Sequence, residues 1–364
     1  MLEDSVDPAM LRHHGDVEAR PGMLDFAVNV QGIAPPDWLR DRLAARLADL
    51  GRYPSSDDEY AARVAVADRH GRSPDEVLLL AGAAEGFALL PRLAPRLAAV
   101  VHPSFTEPEL ALREADVPVA RVILERPYTL DPALVPEDAD LVVLGNPTNP
   151  TSILHRAETI RALRRPGRIV VIDEAFADAV SGGRADAITS DASSAGHVVS
   201  GEPESLAGFS APDVIVFRSL TKTWALAGLR CGYALGAPEV LARLAHGRPH
   251  WPLGTLQLEA IIATAEPAAV AESQRYAERI AADRTAMIDR LTALGLDVHT
   301  PATGPFLLLR VPDGALLRKH LIDRGVAVRR ADTFPGLGPD HLRVAVRGAA
   351  EVDRLIDALK TALW

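Results

Sequence analysis

Six short apolar runs in the first two thirds of the sequence constrain the fold more than any other feature. Each has four to six residues rich in Val, Leu or Ile and is bounded by Gly, Pro or polar residues. They lie at 77–81, 98–102, 140–144, 168–172, 214–217 and 232–235. Continuous runs of this length are typical of strands that are buried on both faces. Helical patterns lie between several of them, for example at 106–115 and 156–164, and this alternation predicts an α/β domain with a mostly parallel sheet.

The pattern changes after Pro252, where strands and helices no longer alternate strictly. A long helical stretch at 256–294 is broken near Pro267. It is followed by further predicted elements, which are strands at 306–311, 327–329 and 342–346 and helices at 316–323 and 351–363. Such an order indicates a smaller α+β domain.

A chain of 364 residues exceeds the usual size of one simple domain. We therefore divide it into an N-terminal arm or small-domain segment (1–35), a large domain (36–270) and a small C-terminal domain (271–364). Within the large domain, the segment 181–212 is rich in Ser, Gly, Ala and Asp, and we expect a loop or an insertion there.

Charge and composition exclude several classes of protein. The net charge is -10 with acidic and basic residues mixed, so no basic stripe for nucleic acid is present. No apolar stretch is long enough to predict a membrane span, and the polar, acidic N-terminus does not resemble a signal peptide. Cys231 is the single cysteine, so no internal disulfide is possible. The sequence therefore predicts a cytoplasmic protein without nucleic-acid, membrane or metal partners.

The residues that follow each predicted strand carry the chemistry, because ligands of open α/β sheets bind outside the carboxyl ends of the strands. Lys222 follows the run at 214–217 and is accompanied by Ser219, Thr221 and Arg230. Hydroxyls and a guanidinium bind a phosphate dianion. A lysine among them can form an imine with an aldehyde on the same ligand. An exposed loop lysine is the alternative interpretation.

Asp173 directly follows the run at 168–172, and we expect its side chain to point towards the crevice of the predicted sheet. A carboxylate there can pair with a pyridinium nitrogen and keep it protonated, which makes the ring an electron sink. A helix N-cap or a metal-binding acid are the alternatives for this residue alone.

Two turns add weaker signals. The turn 82–86, Gly-Ala-Ala-Glu-Gly, leaves backbone N–H groups at a helix start free for phosphate, although it matches neither the Walker pattern nor the dinucleotide fingerprint. The segment 145–152 contains two Asn-Pro steps, which make a rigid turn able to direct an amide at a ligand. Ordinary turns are the alternative for both.

Together these four segments resemble the fold-type I pyridoxal-phosphate (PLP) enzymes of the class I and II aminotransferase family. The likeness covers nearly the whole chain, and the motifs occur in the family's order. It implies the aspartate-aminotransferase fold, with a seven-stranded, mostly parallel sheet in the large domain and a small α+β domain at the C-terminus. It also implies PLP as cofactor, small amino and keto compounds as substrates, and a homodimer with shared active sites.

The resemblance also implies a role for each matching position. Lys222 is similar to the lysine that holds PLP as an imine and transfers the proton, and Asp173 to the partner of the ring nitrogen. The other cofactor-binding positions are Asn149 at the ring hydroxyl, Phe105 stacked on the ring, Ala83, Ala84, Ser219, Thr221 and Arg230 at the phosphate, and Tyr53 at the phosphate of the neighbouring subunit. The implied substrate-binding positions are Asn29, Arg329 and Arg343.

Two branches of the family compete for the function. The segments 24–29, 52–54 and 325–329 are similar to histidinol-phosphate aminotransferases. Other features are similar to the threonine-phosphate decarboxylases of the cobalamin pathway, and these are His14-Gly-Asp, Phe176, Trp251 and the segment 334–338. Four positions depart from the family pattern, namely Ala84, Ser152, Phe176 and Pro305.

We favour transamination, because it is the commonest outcome in the superfamily and requires the lysine only to move a proton. The expected substrate is a phosphorylated amino compound similar to histidinol phosphate, with glutamate and 2-oxoglutarate as the partner pair. The alternative is decarboxylation of L-threonine O-3-phosphate. A protein of another class, a degenerate PLP-fold binding module, is the third hypothesis.

Overall fold

The computed structural model describes residues 8–13, 15–182 and 202–363. His14 and most of the predicted loop at 181–212 therefore lie outside the described residues. The strands, in chain order, are Leu24–Asp25 (β1), Val77–Leu80 (β2), Ala98–His102 (β3), Val119–Ile123 (β4), Leu141–Gly145 (β5), Ile169–Asp173 (β6), Val214–Ser219 (β7), Gly232–Gly236 (β8), Asp297–Val298 (β9), Phe306–Arg310 (β10), Val326–Ala327 (β11), Arg329–Arg330 (β12) and His341–Ala345 (β13).

Helices occur along the whole described part of the chain, between and after the strands. In chain order they are Pro8–Leu11 (α1), Asp37–Ala45 (α2), Ser56–His70 (α3), Ala83–Leu89 (α4), Glu107–Glu114 (α5), Ala157–Arg161 (α6), Pro238–Ala245 (α7), Thr255–Ala265 (α8), Pro267–Ala293 (α9), Gly314–Asp323 (α10) and Ala349–Leu363 (α11). The expected break near Pro267 is confirmed: Pro267 is the first residue of α9, where its missing N–H leaves no helical hydrogen bond unmade.

Seven strands form the central sheet in the order β2-β8-β7-β6-β5-β3-β4. Only β8 runs antiparallel, against β2 and β7, and the other strand pairs of this sheet are parallel. All six apolar runs are strands of this sheet. The seventh strand, β4, was not predicted, because it lies at the edge, is only half-buried and carries Arg121 in its middle.

The C-terminal part forms a second sheet of four antiparallel strands in the order β12-β13-β10-β9. The predicted single strand at 327–329 is wrong. Ala327 ends β11, which pairs with β1, whereas Arg329 begins β12, which pairs with β13. The chain changes partner at Val328, and local composition carries no signal of such a change.

The N-terminal segment packs against both parts of the molecule. β1 pairs in parallel with β11 of the C-terminal part, and the N–H of Gln31 donates to the carbonyl of Lys222 at 3.0 Å. The three-segment division at 35/36 and 270/271 stays a proposal.

Two apolar clusters fill the two faces of the central sheet, and a third lies between the second sheet and helices α9, α10 and α11. Cys231 is fully buried in the first of these clusters, and burial raises the pKa of its thiol to about 12.

Within the described residues, no helix combines the length and the apolar character that a membrane span requires. The buried central strands therefore hold the residues at their carboxyl ends on a rigid frame.

Candidate active site

A cavity of about 520 Å³ opens at the carboxyl edge of the central sheet. Loops after β2, β3, β5, β6 and β7 meet there, and the N-terminal segment and the second sheet close it. The structure brings every predicted site residue except Tyr53 to its lining, and these are Asn29, Ala83, Ala84, Phe105, Asn149, Asp173, Ser219, Thr221, Lys222, Arg230, Arg329 and Arg343. Segments distant in sequence therefore share one site.

Asp173 and Lys222 form the ionisable centre of the cavity. Asp173 is the last residue of β6, and its Oδ1 accepts a hydrogen bond from the N–H of Ala175 at 3.1 Å. Burial raises the pKa of Asp173 to about 6, while this hydrogen bond and the charge of Lys222 act in the opposite direction. Ionising Asp173 is therefore costly unless a cation lies beside it, and a protonated ring nitrogen is such a cation.

The predicted phosphate end of the cavity is built from a tight turn, two hydroxyls and a guanidinium. Gly82 has φ +81, a conformation that favours glycine, and a Cβ there would also lie 2.8 Å from Nη2 of Arg230. The turn leads into α4, which begins at Ala83. Oγ of Ser219 and Oγ1 of Thr221 are 2.8 Å apart. This donor set suits a phosphate dianion.

Arg343 is a buried cation without a carboxylate partner among the described residues. Its Nη1 donates to Oδ1 of Asn149 at 2.8 Å, its Nη2 donates to the carbonyl of Ala27, and its Nε has no hydrogen-bond partner in the described part of the chain. Burial, with the charges of Arg329 and Arg347, lowers the pKa of Arg343 to about 9. A buried guanidinium of this kind is stabilised by an anionic ligand.

Arg329 lies in the same cavity and is also buried. Its Nη2 donates to the carbonyl of His13 at 2.5 Å and to Oγ1 of Thr333 at 2.7 Å, while Nη1 has no partner among the described residues. Its guanidinium carbon lies 5.2 Å from the centre of the Phe334 ring. Burial lowers the pKa of Arg329 to about 10. Arg329 and Arg343 therefore each present a guanidinium nitrogen that has no hydrogen-bond partner among the described residues.

The remaining predicted residues complete the walls. Phe105 lines the cavity and packs against Phe87, with ring centroids 5.9 Å apart. Oδ1 of Asn29 is buried without a hydrogen-bond partner in the structure. Phe176 meets Phe306 edge to face at 4.9 Å, so apolar packing occupies this part of the wall.

Tyr53 is the predicted site residue that the single chain does not bring to the cavity. Its side chain is 73% exposed and stacks on Trp251, with ring centroids 4.3 Å apart. Its role towards a neighbouring subunit stays a prediction.

Some lining residues were missed by the sequence analysis. Glu107 lies in the segment that follows β3, two positions after Phe105, so reading on along that segment would have found it. Ala27, Val28 and Val30 carry no local signal, because the pairing of β1 with β11 brings them in.

The comparisons with known proteins agree with this architecture. The model of the family described as "Aminotransferase class I and II" matches residues 22–359. The chain therefore belongs to the class I and II aminotransferase family. Enzymes of this family depend on pyridoxal phosphate, and PLP is the cofactor of this chain.

Individual relatives differ in what their names state. A histidinol-phosphate aminotransferase of Mycobacterium tuberculosis is 54% identical over 344 residues, which is 94% of this chain and 89% of that protein. A threonine-phosphate decarboxylase of Salmonella typhimurium is 27% identical, covering 94% and 91%. The crystal structure of a histidinol-phosphate aminotransferase from Clostridium acetobutylicum superposes with a TM-score of 0.80 at 22% identity, covering 93% and 98%, and shows the shared fold.

The cavity fits PLP on its own geometry. The Gly82 turn with Arg230 and the two hydroxyls suits the phosphate, and the buried Asp173 suits the ring nitrogen. Beside these groups, Oδ1 of Asn29 is a hydrogen-bond acceptor that has no partner within the described ranges, and a bound substrate could complete it. Such groups are expected where a ligand completes the hydrogen bonding.

Proposed function

We propose that this chain is a PLP-dependent aminotransferase that acts on a phosphorylated amino compound, histidinol phosphate, with glutamate and 2-oxoglutarate as the partner pair. The observation that carries the proposal is the pair of buried arginines, Arg329 and Arg343, in the cavity that also holds Lys222. One guanidinium suits the phosphate of the amino compound, and the other suits a carboxylate of glutamate. The 54% identity to a histidinol-phosphate aminotransferase supports the choice of substrate.

Each side chain then has a defined task. When bound, PLP supplies an aldehyde carbon and a ring that withdraws electrons from the bond that breaks. Lys222 would hold the cofactor through its aldehyde carbon and, when free of it, would take and return a proton at the substrate α-carbon. Asp173 would hold the proton on the ring nitrogen, Asn149 would hydrogen-bond the ring hydroxyl, and Phe105 would cover the ring.

The two arginines orient the substrate. We assign Arg329 to the phosphate and Arg343 to the carboxylate, each as a bidentate partner. Asn29, with its unpaired Oδ1, is assigned to the substrate as well. Because both arginines are held by carbonyl oxygens and by neighbouring rings, they are positioned before the substrate arrives.

Decarboxylation of threonine phosphate is the second candidate, favoured by the relative in Salmonella typhimurium that matches over 94% of this chain. The same arginines hold a phosphate and a carboxylate in either reaction. What differs is which bond at the α-carbon is held perpendicular to the ring.

The deciding experiment follows both products from the same enzyme preparation. We expect histidinol phosphate with 2-oxoglutarate to yield glutamate in equal amounts to the substrate consumed, with Lys222→Ala as the inactive control. Threonine phosphate is supplied in parallel, and carbon dioxide is measured. Stoichiometric carbon dioxide without amino-group transfer would establish the decarboxylase instead. A protein that binds PLP but converts neither compound would support the degenerate binding module, although retention of Lys222, Asp173, Asn149 and Arg230 argues against it.

We also propose a cytoplasmic homodimer in which Tyr53 serves the partner's site. Large apolar side chains are exposed along the chain around Tyr53, and they are Ile33, Leu47, Leu50, Tyr53 and Tyr60. Trp251 joins them through its stack with Tyr53. Exposed apolar residues in this density are typical of a surface covered by a partner, and a two-fold interface presents the same surface on both copies. Sedimentation tests the dimer, and cell fractionation tests the location.

A further inference from the structure

Ser152 has an unusual backbone conformation directly after the loop that carries Asn149. It is fully buried and has φ +65, a left-handed conformation that residues other than glycine rarely adopt. Its N–H donates to the carbonyl of Thr148 at 2.7 Å, which closes the turn. Since this conformation is unfavourable for serine, neighbouring contacts must hold it.

Three hydrogen bonds join Ser152 to the segment that precedes β10. The carbonyl of Ser152 accepts from the N–H of Thr303 at 2.8 Å and from Oγ1 of Thr303 at 2.9 Å. Oγ of Ser152 accepts from the N–H of Gly304 at 2.8 Å. The approach is close, because a Cβ at position 304 would lie 3.2 Å from that same Oγ. We call this set of contacts the 152–304 clasp.

The far side of the clasp is held by the small domain. Nη1 of Arg284, on α9, donates to the carbonyls of Thr303 and Gly304 at 2.8 and 3.3 Å. Two residues further on, Phe306 begins β10, which pairs with β13, the strand of Arg343. The clasp therefore connects the cofactor loop of the central sheet to the sheet that carries Arg343.

A second set of contacts, inside the cavity, joins the second sheet to the loop that carries Asn149. The ring of Phe306 lies under the guanidinium of Arg343, 5.7 Å from centroid to carbon. Nη1 of Arg343 in turn donates to Oδ1 of Asn149, three residues before Ser152. The loop that carries Asn149 therefore contacts the second sheet at two places, through the 152–304 clasp and through the Arg343–Asn149 hydrogen bond.

We propose that Ser152 is a positioning residue whose hydroxyl holds the small domain against the cofactor loop, and so sets Arg343 at the place where it receives the substrate carboxylate. This inference rests on the carboxylate role of Arg343 in the proposed function. Ser152 does not line the cavity. Its effect is expected on carboxylate binding and not on PLP binding or on proton transfer.

The test compares Ser152→Ala and Ser152→Gly holoenzymes, with Ser273→Ala as the matched control. Ser273 is also buried and also loses one hydrogen bond, to the carbonyl of Val270, but it lies on α9 outside the cavity lining. The probe is succinate, an unreactive dicarboxylate, whose binding is followed by the change in cofactor absorbance.

We expect the succinate dissociation constant and the KM for glutamate to rise about three- to tenfold in both Ser152 variants, the factor that loss of one hydrogen bond corresponds to. We expect kcat and PLP retention to stay within about twofold by the same reasoning, because an interaction that binds ground state and transition state equally changes KM alone. An unchanged dissociation constant, a rise in Ser152→Gly alone, or a proportional loss of PLP would overturn the inference.

Two further variants and one exchange measurement keep the test decisive if a Ser152 variant does not fold. Thr303→Ser retains the hydroxyl that bonds Ser152, whereas Thr303→Val removes it, so only Thr303→Val is expected to weaken succinate binding. Hydrogen exchange at residues 303–307 reports the clasp without any substrate, and protection there is expected to fall in Thr303→Val but not in Thr303→Ser. Equal behaviour of the two Thr303 variants would contradict the inference.

Arg343→Ala separates failure of the inference from failure of the proposed function. Succinate binding that survives Arg343→Ala contradicts both. Binding that is lost in Arg343→Ala but unchanged in Ser152→Ala overturns the role of Ser152 alone.

Discussion

Replacing Asp173 with Asn tests whether the buried carboxylate lowers the stability of the cofactor-free protein. The cationic ring nitrogen of the cofactor is the partner that would offset this cost. Burial raises the pKa of Asp173 from its ordinary 3.8 to about 6. The folded chain then binds this proton more tightly than the unfolded chain does. The carboxylate consequently lowers stability, by an amount that grows as the pH rises from about 4 to 6 and is complete above that range.

The magnitude follows from the difference of about two pH units, each worth about 1.4 kcal/mol, which gives at most about 3 kcal/mol. Asn does not ionise, so cofactor-free Asp173→Asn is expected to be more stable than wild type by up to about 3 kcal/mol at pH 8 and by about half of that at pH 5. With PLP bound the order is expected to reverse, because wild type regains a charge-assisted pair worth about 2–5 kcal/mol.

Urea unfolding at pH 5, 6, 7 and 8 measures the difference, with both proteins free of cofactor and at equal concentration. The same series with saturating PLP measures the reversal. If the free-energy difference between Asp173→Asn and wild type does not change with pH, or if the variant is less stable throughout, then Asp173 is not a carboxylate that burial makes costly to ionise.

Further predictions concern the other parts of the molecule. Wild type should absorb in the visible range through an imine that borohydride fixes on Lys222, and peptide mass spectrometry that finds the adduct on another lysine would contradict the assignment. Arg329→Ala should raise the KM of histidinol phosphate far more than that of its unphosphorylated analogue, with a loss of about 2–5 kcal/mol in kcat/KM; equal losses would refute the phosphate role. Mixed dimers of Lys222→Ala and Tyr53→Phe chains should recover activity, since one site is intact, and no recovery would argue against shared sites. Arg218→Met should destabilise the protein by about 3–5 kcal/mol in urea unfolding, because it leaves three buried carboxylates, Glu174, Asp178 and Glu202, short of a cation; a neutral change would contradict this.

Much of the large domain could be predicted from the sequence because its signals are local. Each buried strand appears as a short apolar run, and parallel strands place the residues that follow them at one edge of the sheet. Lys222, Asp173, Asn149 and the turn at 82–86 all follow such runs. The order and spacing of these segments also sufficed to indicate the family and its cofactor.

The remaining parts of the site depend on contacts between distant segments. Strand β4 was missed because an edge strand is half-solvated and lacks a continuous apolar run. The division of 327–329 between two sheets was missed because the change of partner is a property of the neighbouring strands.

The sequence by itself determined which residues stand at the carboxyl ends of the strands, because the apolar run of a strand and the residues that end it are consecutive in the chain. Only the tertiary structure decided that Arg343 meets Asn149 across 194 positions, that Ser152 bonds Gly304 across 152 positions, and that Tyr53 stays outside the cavity of its own chain. The first two contacts arise where the central sheet and the second sheet pack together. Their geometry is selected by the fit of whole surfaces and by the burial of charges, which no short stretch of sequence encodes.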